Sequence, residues 1–310
     1  VELGLAVEAA HAPRGLRRIV CFTLAAPDVE GLARAYCQWF DYTIDERSAL
    51  SADIAQHWGV ADLAGSPCLL LRPPGDALTY VRLVQQALAD PASVLLTHGW
   101  TAMEILVHDP YQLAADLAGS PFQVVVPPRP LPFDADIHAM QVIGPAGELL
   151  YMTSLPAHRQ ILDLSPARYR VDRPFIAILG GPDAARMLDY YEHSTATSTI
   201  APAPVIVQII NDTFSLPANH AVPLGIVKLP RDNLIEVDEL PSIARARRTE
   251  PGRIPPGIAM VSFSCGDLDE LPIVWRAAPR VLTEAPYAGR RTGLAVGAAG
   301  EWLELIESAG

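Results

Sequence analysis

The chain repeats one pattern four times: a short apolar run, an acidic turn and an amphipathic stretch. The apolar runs have the length of strands, and the stretches after the turns have helical spacing. The four aspartates that mark the turns lie about 80 residues apart, so the pattern predicts four copies of one supersecondary unit. The copies begin IVCFTLAAPDVEGLARAYCQWF around Asp28, TAMEILVHDPYQLAADL around Asp109, PFIAILGGPDAARMLDYY around Asp183 and IAMVSFSCGDLDELPIVW around Asp267.

Each predicted helix is followed by further short apolar runs that Pro and Gly interrupt. These runs have the length and composition of strands, and they predict a βαβββ unit. The fold class is therefore α+β. The runs are CLLLRPP and ALTYVRLVQ in copy one, FQVVVPPRP, IHAMQVIG and GELLYMTSL in copy two, PVIVQII, LGIVKLP and NLIEVDEL in copy three, and GLAVGAAG and EWLELIE in copy four.

A stretch rich in Pro and charge at 155–172 separates copy two from copy three and predicts a domain boundary. We expect copies one and two to form an N-terminal domain, and copies three and four a C-terminal domain. The expected division is a tail at 1–16, an N-terminal domain at 17–157 with copies at about 17–90 and 91–157, a linker at 158–172, and a C-terminal domain at 173–310 with copies at about 173–240 and 256–310.

Composition narrows the class of protein. The net charge of −12 over 310 residues argues against binding to nucleic acid or to an anionic membrane. Cys21, Cys37, Cys68 and Cys265 show no CxxC spacing, which fits a reducing compartment. The chain lacks an 18-residue apolar run and a secretory signal pattern. We expect a soluble cytoplasmic protein, monomeric or homodimeric, that acts on a small hydrophobic or aromatic molecule.

The order of strand, acidic turn, helix and three strands resembles the vicinal oxygen chelate superfamily, which includes glyoxalase I, bleomycin resistance proteins and extradiol dioxygenases. Four copies in about 300 residues resemble the layout of the extradiol dioxygenases. The resemblance is most specific in copy two, from GWTAMEILVHDP to GPAGELLYMTSL. It implies two domains, each an incomplete barrel of mixed β-sheet with helices outside.

The resemblance also implies where a metal would bind. Metal-dependent members carry a His or Gln on the first strand, seven residues before the acidic turn, and a Glu on the last strand. Neither His nor Gln occupies the matching first-strand positions here, so we expect no metal cofactor at the usual place. The matching positions are Cys21, Ala102, Ile176 and Met260 on the first strands, and Tyr80, Tyr151, Glu236 and Glu304 on the last strands.

Strand alternation predicts which other side chains share the cavity face. The GPAG turn at 144–147 is expected to place Met140 opposite Tyr151 and His138 opposite Thr153. The predicted catalytic set is Arg82, Glu104, His138 and Tyr151. The predicted substrate contacts are Cys21, Thr23, Tyr80, Trp100, Met140 and Thr153, and a second candidate site comprises Glu236, Glu304 and Met260.

Glu104 is the predicted general base, because burial in an apolar strand raises a carboxyl pKa toward neutrality. Arg82 would anchor an oxyanion or carboxylate, His138 would act as the acid, and Tyr151 would donate to developing negative charge. Each residue also has a structural interpretation. Glu104 and Arg82 could form an ion pair, His138 could lie at the rim, and Tyr151 could serve packing.

Three functions agree with these residues. The first is a metal-independent isomerase or lyase that abstracts a proton from a hydrophobic or aromatic carbonyl compound or acid of catabolism. The second is a non-catalytic protein that binds or sequesters a small molecule. The third is an extradiol-type dioxygenase with non-standard metal ligands, such as Glu236, Glu304 and a loop histidine like His220.

Overall fold

The computed structural model describes residues 15–75, 78–87, 96–230 and 232–308. The expected tail at 1–16 lies almost entirely outside these ranges. Copy one contains β1 (Leu16–Ala26), α1 (Val29–Phe40), β2 (Thr43–Ala49), α2 (Ala52–Trp58), β3 (Pro67–Arg72) and β4 (Tyr80–Gln85). Copy two contains β5 (Gly99–Val107), α3 (Pro110–Asp116), β6 (Gln123–Leu131), β7 (Asp134–Ile143) and β8 (Leu149–Ser154).

The second half of the chain repeats this order. Copy three contains β9 (Val171–Gly181), α4 (Ala184–Thr195), β10 (Thr199–Val205), α5 (Gln208–Thr213), β11 (Val222–Lys228) and β12 (Leu234–Glu239). Copy four contains β13 (Gly257–Cys265), β14 (Trp275–Leu282), β15 (Arg290–Val296) and β16 (Trp302–Glu307). Within the described ranges, no helix combines the length and apolarity needed to cross a membrane.

The acidic turns act as helix caps, as the repeat predicts. The Asp28 side chain accepts a hydrogen bond from the Gly31 backbone N–H, and Asp183 accepts one from Arg186. Such caps satisfy backbone donors that have no partner within the first helical turn. The four acidic turns therefore set where the chain leaves each first strand.

The helix predicted in copy four is wrong. Asp267 caps only a short 3-10 turn, Leu268–Glu270, and Leu271 is already extended with φ −88° and ψ 125°. Pro272 follows, and a proline disfavours helical backbone in the residue before it while removing a hydrogen-bond donor. The amphipathic pattern of LDELPIVW is therefore not sufficient for a helix.

The strands form two eight-stranded sheets. Sheet one has the order β14-β15-β16-β13-β1-β4-β3-β2, and sheet two has the order β10-β11-β12-β9-β5-β8-β7-β6. The first strands of two copies pair antiparallel at the centre of each sheet, β1 with β13 and β5 with β9. Each first strand also pairs parallel with the last strand of its own copy.

The sheets do not follow the expected grouping of the copies into domains, which stays a prediction. Copy one shares a sheet with copy four, and copy two shares a sheet with copy three. The α+β architecture of four βαβββ-type copies in two curled mixed sheets is confirmed. Copies two and three follow each other in the chain, whereas copies one and four come from its two ends.

Each sheet has an outer and an inner face. The outer faces of both sheets and the helices α1, α3 and α4 share one core, which includes Phe22, Trp100 and Leu179. The inner face of sheet one packs against α2, and the inner face of sheet two packs against α5. Side chains on the inner faces are therefore the ones that could surround a ligand.

Two equivalent buried contacts join the copies across the shared core. The Tyr36 hydroxyl donates to Glu148 Oε1 at 3.1 Å, and the Ala146 N–H donates to Glu148 Oε2 at 2.9 Å. Tyr191 and the Ala299 N–H make the same contacts with Glu301 at 3.0 and 2.9 Å. Burial raises the pKa of both Glu148 and Glu301 to about 7, which the hydrogen bonds partly oppose. The chain thus consists of two similar halves, copies one and two and copies three and four.

We expect the free energy of unfolding to fall as pH rises from about 4.5 to above 7. A carboxyl whose pKa is higher in the folded state than the ordinary 4.5 binds its proton more tightly when folded, so its contribution is complete below 4.5 and is lost as pH passes 7. A shift to about 7 corresponds to about 3 kcal/mol for each carboxyl.

Urea unfolding of the wild type at pH 5 and pH 8 measures this change. The double variant Glu148→Gln/Glu301→Gln should show a smaller loss of stability between the two pH values, and the exposed variant Glu46→Gln should match the wild type. An unchanged pH dependence in the double variant would show that Glu148 and Glu301 are ionised in the folded protein at both values.

Candidate functional site

The strand register identifies the four equivalent positions on the inner faces. Tyr151 lies beside Glu104, Glu236 beside Ile178, and Glu304 beside Ser262. Each first-strand partner lies five residues before its acidic turn. In copy one the same rule selects the pair Thr23 and Arg82. The predicted last-strand position, Tyr80, is therefore wrong by two residues, and Arg82 takes that place.

A polar network lies on the inner face of sheet one. Glu304 accepts hydrogen bonds from Trp58 Nε1 at 2.9 Å, the Tyr287 hydroxyl at 2.9 Å and the Ser262 hydroxyl at 2.5 Å. Arg82 Nη1 donates to the Tyr287 hydroxyl at 2.9 Å. Arg82 and Glu304 are thus bridged by one tyrosine. Three donors satisfy the Glu304 carboxylate.

Aromatic rings surround the Arg82 guanidinium in this network. It lies 5.1 Å from the Trp58 ring centroid and 5.0 Å from that of Tyr287, within the range of cation–π attraction. Burial lowers the pKa of Arg82, but Tyr287, Cys21 and Glu304 more than offset this and leave its pKa above the ordinary value. Arg82 is therefore a buried permanent cation.

The predicted catalytic set is not assembled. Arg82 lies on sheet one, whereas Glu104 and Tyr151 lie on sheet two. The alternative ion pair between Glu104 and Arg82 is excluded for the same reason. Glu236 and Glu304 are likewise on different sheets, so the second candidate site and the non-standard metal set with His220 are also not brought together.

His138 and Met140 face the outer side of sheet two, contrary to the prediction. In the hairpin register His138 pairs with Ser154, and Met140 pairs with Met152. His138 Nδ1 lies 3.0 Å from the Tyr111 hydroxyl near α3. The residue opposite Tyr151 is Gln141, which the prediction missed. A register error of one residue transfers every side chain of a strand to the other face.

The predicted substrate contacts are divided among three environments. Trp100 is buried in the shared outer core, where its indole N–H donates to the Trp302 carbonyl at 2.8 Å. Thr153 is buried on β8 of sheet two, two residues beyond Tyr151. The others belong to the inner side of sheet one, and burial raises the pKa of Cys21 to about 11. These sheet-one contacts are Cys21, Thr23 and Tyr80, and Met260 of the second candidate site lies on the same side.

The inner face of sheet two carries three carboxyl groups beside Tyr151. Glu104 is on β5, and Glu236 and Asp238 are both on β12. Glu104 and Asp238 are buried, with 6% and 2% of their surface exposed. Glu236 is partly buried. Apolar side chains such as Ile176 and Ile178 separate these positions along the sheet.

Burial and mutual repulsion keep these carboxyl groups protonated to unusually high pH. Burial raises the pKa of Glu104 to about 7, and Thr153 partly opposes this rise. Burial, followed by the charge of Glu104, raises the pKa of Asp238 to about 7. The pKa of Glu236 is raised well above its ordinary value by burial, then by Asp238 and Glu104. Ionising all three carboxyl groups together is therefore energetically unfavourable on this buried face.

Tyr151 remains a neutral hydroxyl beside these groups. Burial raises its pKa well above the ordinary value, and the charges of Asp238, Glu236 and Glu104 raise it further. Tyr151 and Glu104 are neighbours on parallel strands, so their side chains leave the sheet on the same side. A titrating carboxyl and a hydrogen-bond donor therefore lie next to each other.

A small cavity lies between this face and α5. Its volume is about 20 Å³, enough for one water-sized group. It is lined by Thr101, Leu149, Tyr151, Ile209, Ile210, Thr213, Phe214, Asp238 and Leu240. We call it the α5 cavity. The Tyr151 and Asp238 side chains both line it.

An open surface cleft of about 350 Å³ lies on the other side of Leu240, which borders both spaces. The cleft is lined by His98, Pro182, His220, Val222, Pro223, Glu239, Leu240, Pro241, Ser242 and Ala244. Asn211 Nδ2 on α5 donates to the carbonyls of Ala218 and His220, at 3.4 and 3.0 Å. These bonds hold the loop that forms part of the cleft, and Leu240 lies at the border between the cleft and the α5 cavity.

The residues present do not fit a metal of the kind that the family resemblance implies. Over the described ranges of the chain, no three His, Cys, Asp or Glu side chains converge closely enough to hold a metal ion. On sheet one the equivalent positions are Thr23, Arg82, Ser262 and Glu304, which include a permanent cation. We therefore derive no chemical step through a metal.

Comparison with known proteins supports the fold. Neither a protein-family model nor a curated protein sequence matches this chain. Glyoxalase I from Zea mays superimposes with a TM-score of 0.61 at 13% identity, covering 94% of this chain and 92% of that one. A Bacillus subtilis protein provisionally assigned as a dioxygenase superimposes with a TM-score of 0.55 at 10% identity, covering 96% and 87% of the two chains.

At these identities the similarity establishes the fold alone. It extends over nearly the whole of both chains, so it includes all four copies and not a single repeat. The chain thus shares the fold of these two proteins over all four copies, as its resemblance to the vicinal oxygen chelate superfamily predicts.

Proposed function

We propose that this protein is a small-molecule enzyme that transfers a proton next to a carbonyl group, with its active site on the inner face of sheet two. The single observation that carries this proposal is the pairing of Glu104, whose pKa is about 7, with the neutral Tyr151 on the adjacent strand. A general base works best when its pKa is near the working pH. The substrate class is a hydrophobic or aromatic carbonyl compound.

The reaction would begin when the Glu104 carboxylate removes a hydrogen from the carbon beside the carbonyl. The electron pair of that C–H bond moves toward the carbonyl oxygen, where Tyr151 donates a hydrogen bond to the developing charge. Return of the proton to another carbon gives an isomerase, and departure of a β-substituent gives a lyase. Apolar neighbours such as Ile176 and Ile178 exclude water from the base.

Arg82 does not belong to the proposed site, and this changes the expected substrate. An acid was expected as substrate because Arg82 would anchor its carboxylate, but Arg82 belongs to the polar network on sheet one. The carboxyl groups on sheet two would repel a carboxylate. A neutral carbonyl compound therefore agrees better with the site than an acid does.

A non-catalytic binding protein is the second candidate, and the small size of the α5 cavity favours it. A space of about 20 Å³ admits only part of a substrate unless α5 or Leu240 moves. A binder needs only the acceptors and apolar walls of this face. It does not need a base that titrates near neutrality, so the effect of Glu104 on proton exchange distinguishes the two functions.

Glu104→Gln should slow proton abstraction by about 100-fold, the usual contribution of a general base. Deuterium incorporation into a panel of aryl ketones in D2O, followed by proton NMR, measures this step without knowledge of the natural reaction. In the wild type, exchange should rise with pH to a plateau with a midpoint near 7, because only the ionised form of Glu104 accepts a proton.

Glu148→Gln is the matched control, because Glu148 is equally buried and has the same raised pKa but belongs to the shared core. It should leave the exchange rate unchanged. If Glu104→Gln exchanges as fast as the wild type, Glu104 is not the base. If the wild type accelerates exchange of none of the ketones but binds them, the protein is a binder.

Tyr151→Phe should lower the exchange rate by about 10- to 100-fold and leave the pH midpoint near that of the wild type. The hydroxyl is a neutral donor throughout this range, so its loss removes stabilisation of the oxyanion and not a titrating group. The same deuterium measurement across pH checks both features. A rate equal to that of the wild type would limit Tyr151 to packing.

A further inference from the structure

We propose that the inner face of sheet two recognises a protonated primary amine, so that its ligand is an amine-bearing carbonyl compound. This inference rests on the proposed function, because it names the ligand of the same site. The α5 cavity would take the ammonium group, and Asp238, Glu236 and Gln141 would supply its hydrogen-bond acceptors. Glu104 and Tyr151 would act on the carbon next to the carbonyl.

Unused acceptors on this face provide the first argument. Asp238 Oδ1 and Gln141 Oε1 are buried oxygens without a hydrogen-bond partner among the residues that the structure describes. Asp238 and Gln141 are 2% and 8% exposed. Asp238 lines the α5 cavity, and Gln141 pairs in register with Tyr151, which also lines it. A buried acceptor without a donor is costly, and an ammonium group offers three donors.

The charge of the site provides the second argument. The charges that raise the pKa values of Glu236 and Asp238 are those of other carboxylates. On sheet one, by contrast, the Glu304 carboxylate is joined through Tyr287 to the Arg82 cation. A bound cation would remove the repulsion on sheet two and would lower all three carboxyl pKa values.

The partly buried cation Arg247 is engaged with other groups. Its guanidinium donates to the carbonyls of Trp100 and Ile258 at 3.0 and 3.3 Å and to the Thr97 hydroxyl at 3.0 Å. These contacts tie the connector after copy three to the first strands of copies two and four.

The sizes of the two spaces limit the shape of the ligand. The α5 cavity of about 20 Å³ accommodates a primary ammonium group and excludes a trimethylammonium group. The surface cleft of about 350 Å³ beyond Leu240 has the volume of a small ligand. A change in the Leu240 side chain would connect the two, with the amine in the cavity and an apolar body in the cleft.

Benzylammonium, benzyl alcohol and benzoate test the proposal, because they share one ring and differ in the charge of the head group. Their dissociation constants are measured from NMR shifts of backbone amides on β8 and β12. Benzylammonium should bind at least about 10-fold more tightly than benzyl alcohol, and benzoate should bind most weakly. Binding of benzylammonium should tighten by roughly 30-fold from pH 5.5 to pH 8 for one carboxyl with a pKa of about 7.

Asp238→Asn keeps the shape of the side chain and should weaken benzylammonium binding by about 10-fold or more while reducing its pH dependence. Glu148→Gln should bind as the wild type does. Equal or tighter binding of benzoate, or the absence of benzylammonium shifts at about 10 mM, a saturating concentration for a Kd of 1 mM, would overturn the proposal.

These results are independent of the deuterium experiment. If binding does not depend on the charge of the ligand but deuterium exchange depends on Glu104, the proposed amine site is wrong and the proposed proton transfer stands. If benzylammonium binds selectively and this binding depends on Asp238, but no deuterium exchange depends on Glu104, the proposed proton transfer is wrong and the proposed amine site stands.

Discussion

The cost of burying a carboxylate without a cation determines most of what is distinctive in this protein. Glu104, Glu148, Asp238 and Glu301 are all buried, and burial raises the pKa of each to about 7. Removing a charge from water is so unfavourable that the group binds a proton instead. The shared core meets this cost with a tyrosine and a backbone N–H for each glutamate. On sheet two this cost is only partly offset, because Asp238 Oδ1 has no hydrogen-bond partner among the described residues.

The same scaffold therefore supports two different inner faces. On sheet one, Trp58, Tyr287 and Ser262 donate hydrogen bonds to Glu304, and Tyr287 also joins it to Arg82. On sheet two the carboxyl groups face apolar side chains, a small cavity and unused acceptors. Sheet one comes from copies one and four and has its charged groups bonded to one another, whereas sheet two comes from copies two and three and carries the groups of the proposed site.

Much of this fold could be predicted from the sequence because the relevant signals are local. Strand alternation, capping aspartates and Gly- or Pro-rich turns involve residues close together in the chain, and the βαβββ order follows from them. The helix expected after Asp267 failed on an equally local signal, Pro272, which should have been weighed above the amphipathic pattern. Strand alternation also put Glu104 and Tyr151 on one face, and the two residues are neighbours in the register of β5 and β8.

Two features could not be predicted from one sequence: which copies share a sheet, and which face of its strand each side chain occupies. All four first strands are similarly apolar, so their sequences do not specify that β1 pairs with β13. Arg82 was thus assigned to the wrong partner, Glu104. The assignment of His138 failed because the turn before β8 leaves the hairpin register open by one residue, and Gln141 took its place. A polar residue amid the apolar run AMQVIG was the available signal for Gln141.

The most direct test of this account is the ionisation of the sheet-two carboxyl groups in the folded protein. Carboxyl-carbon NMR of protein labelled at Asp and Glu, compared between the wild type, Glu104→Gln and Asp238→Asn, assigns the two signals and follows them with pH. The account predicts midpoints near 7 for Glu104 and Asp238. Midpoints near the ordinary values of 4.5 and 3.8 would show that these groups are solvated or neutralised, and would contradict the proposed site.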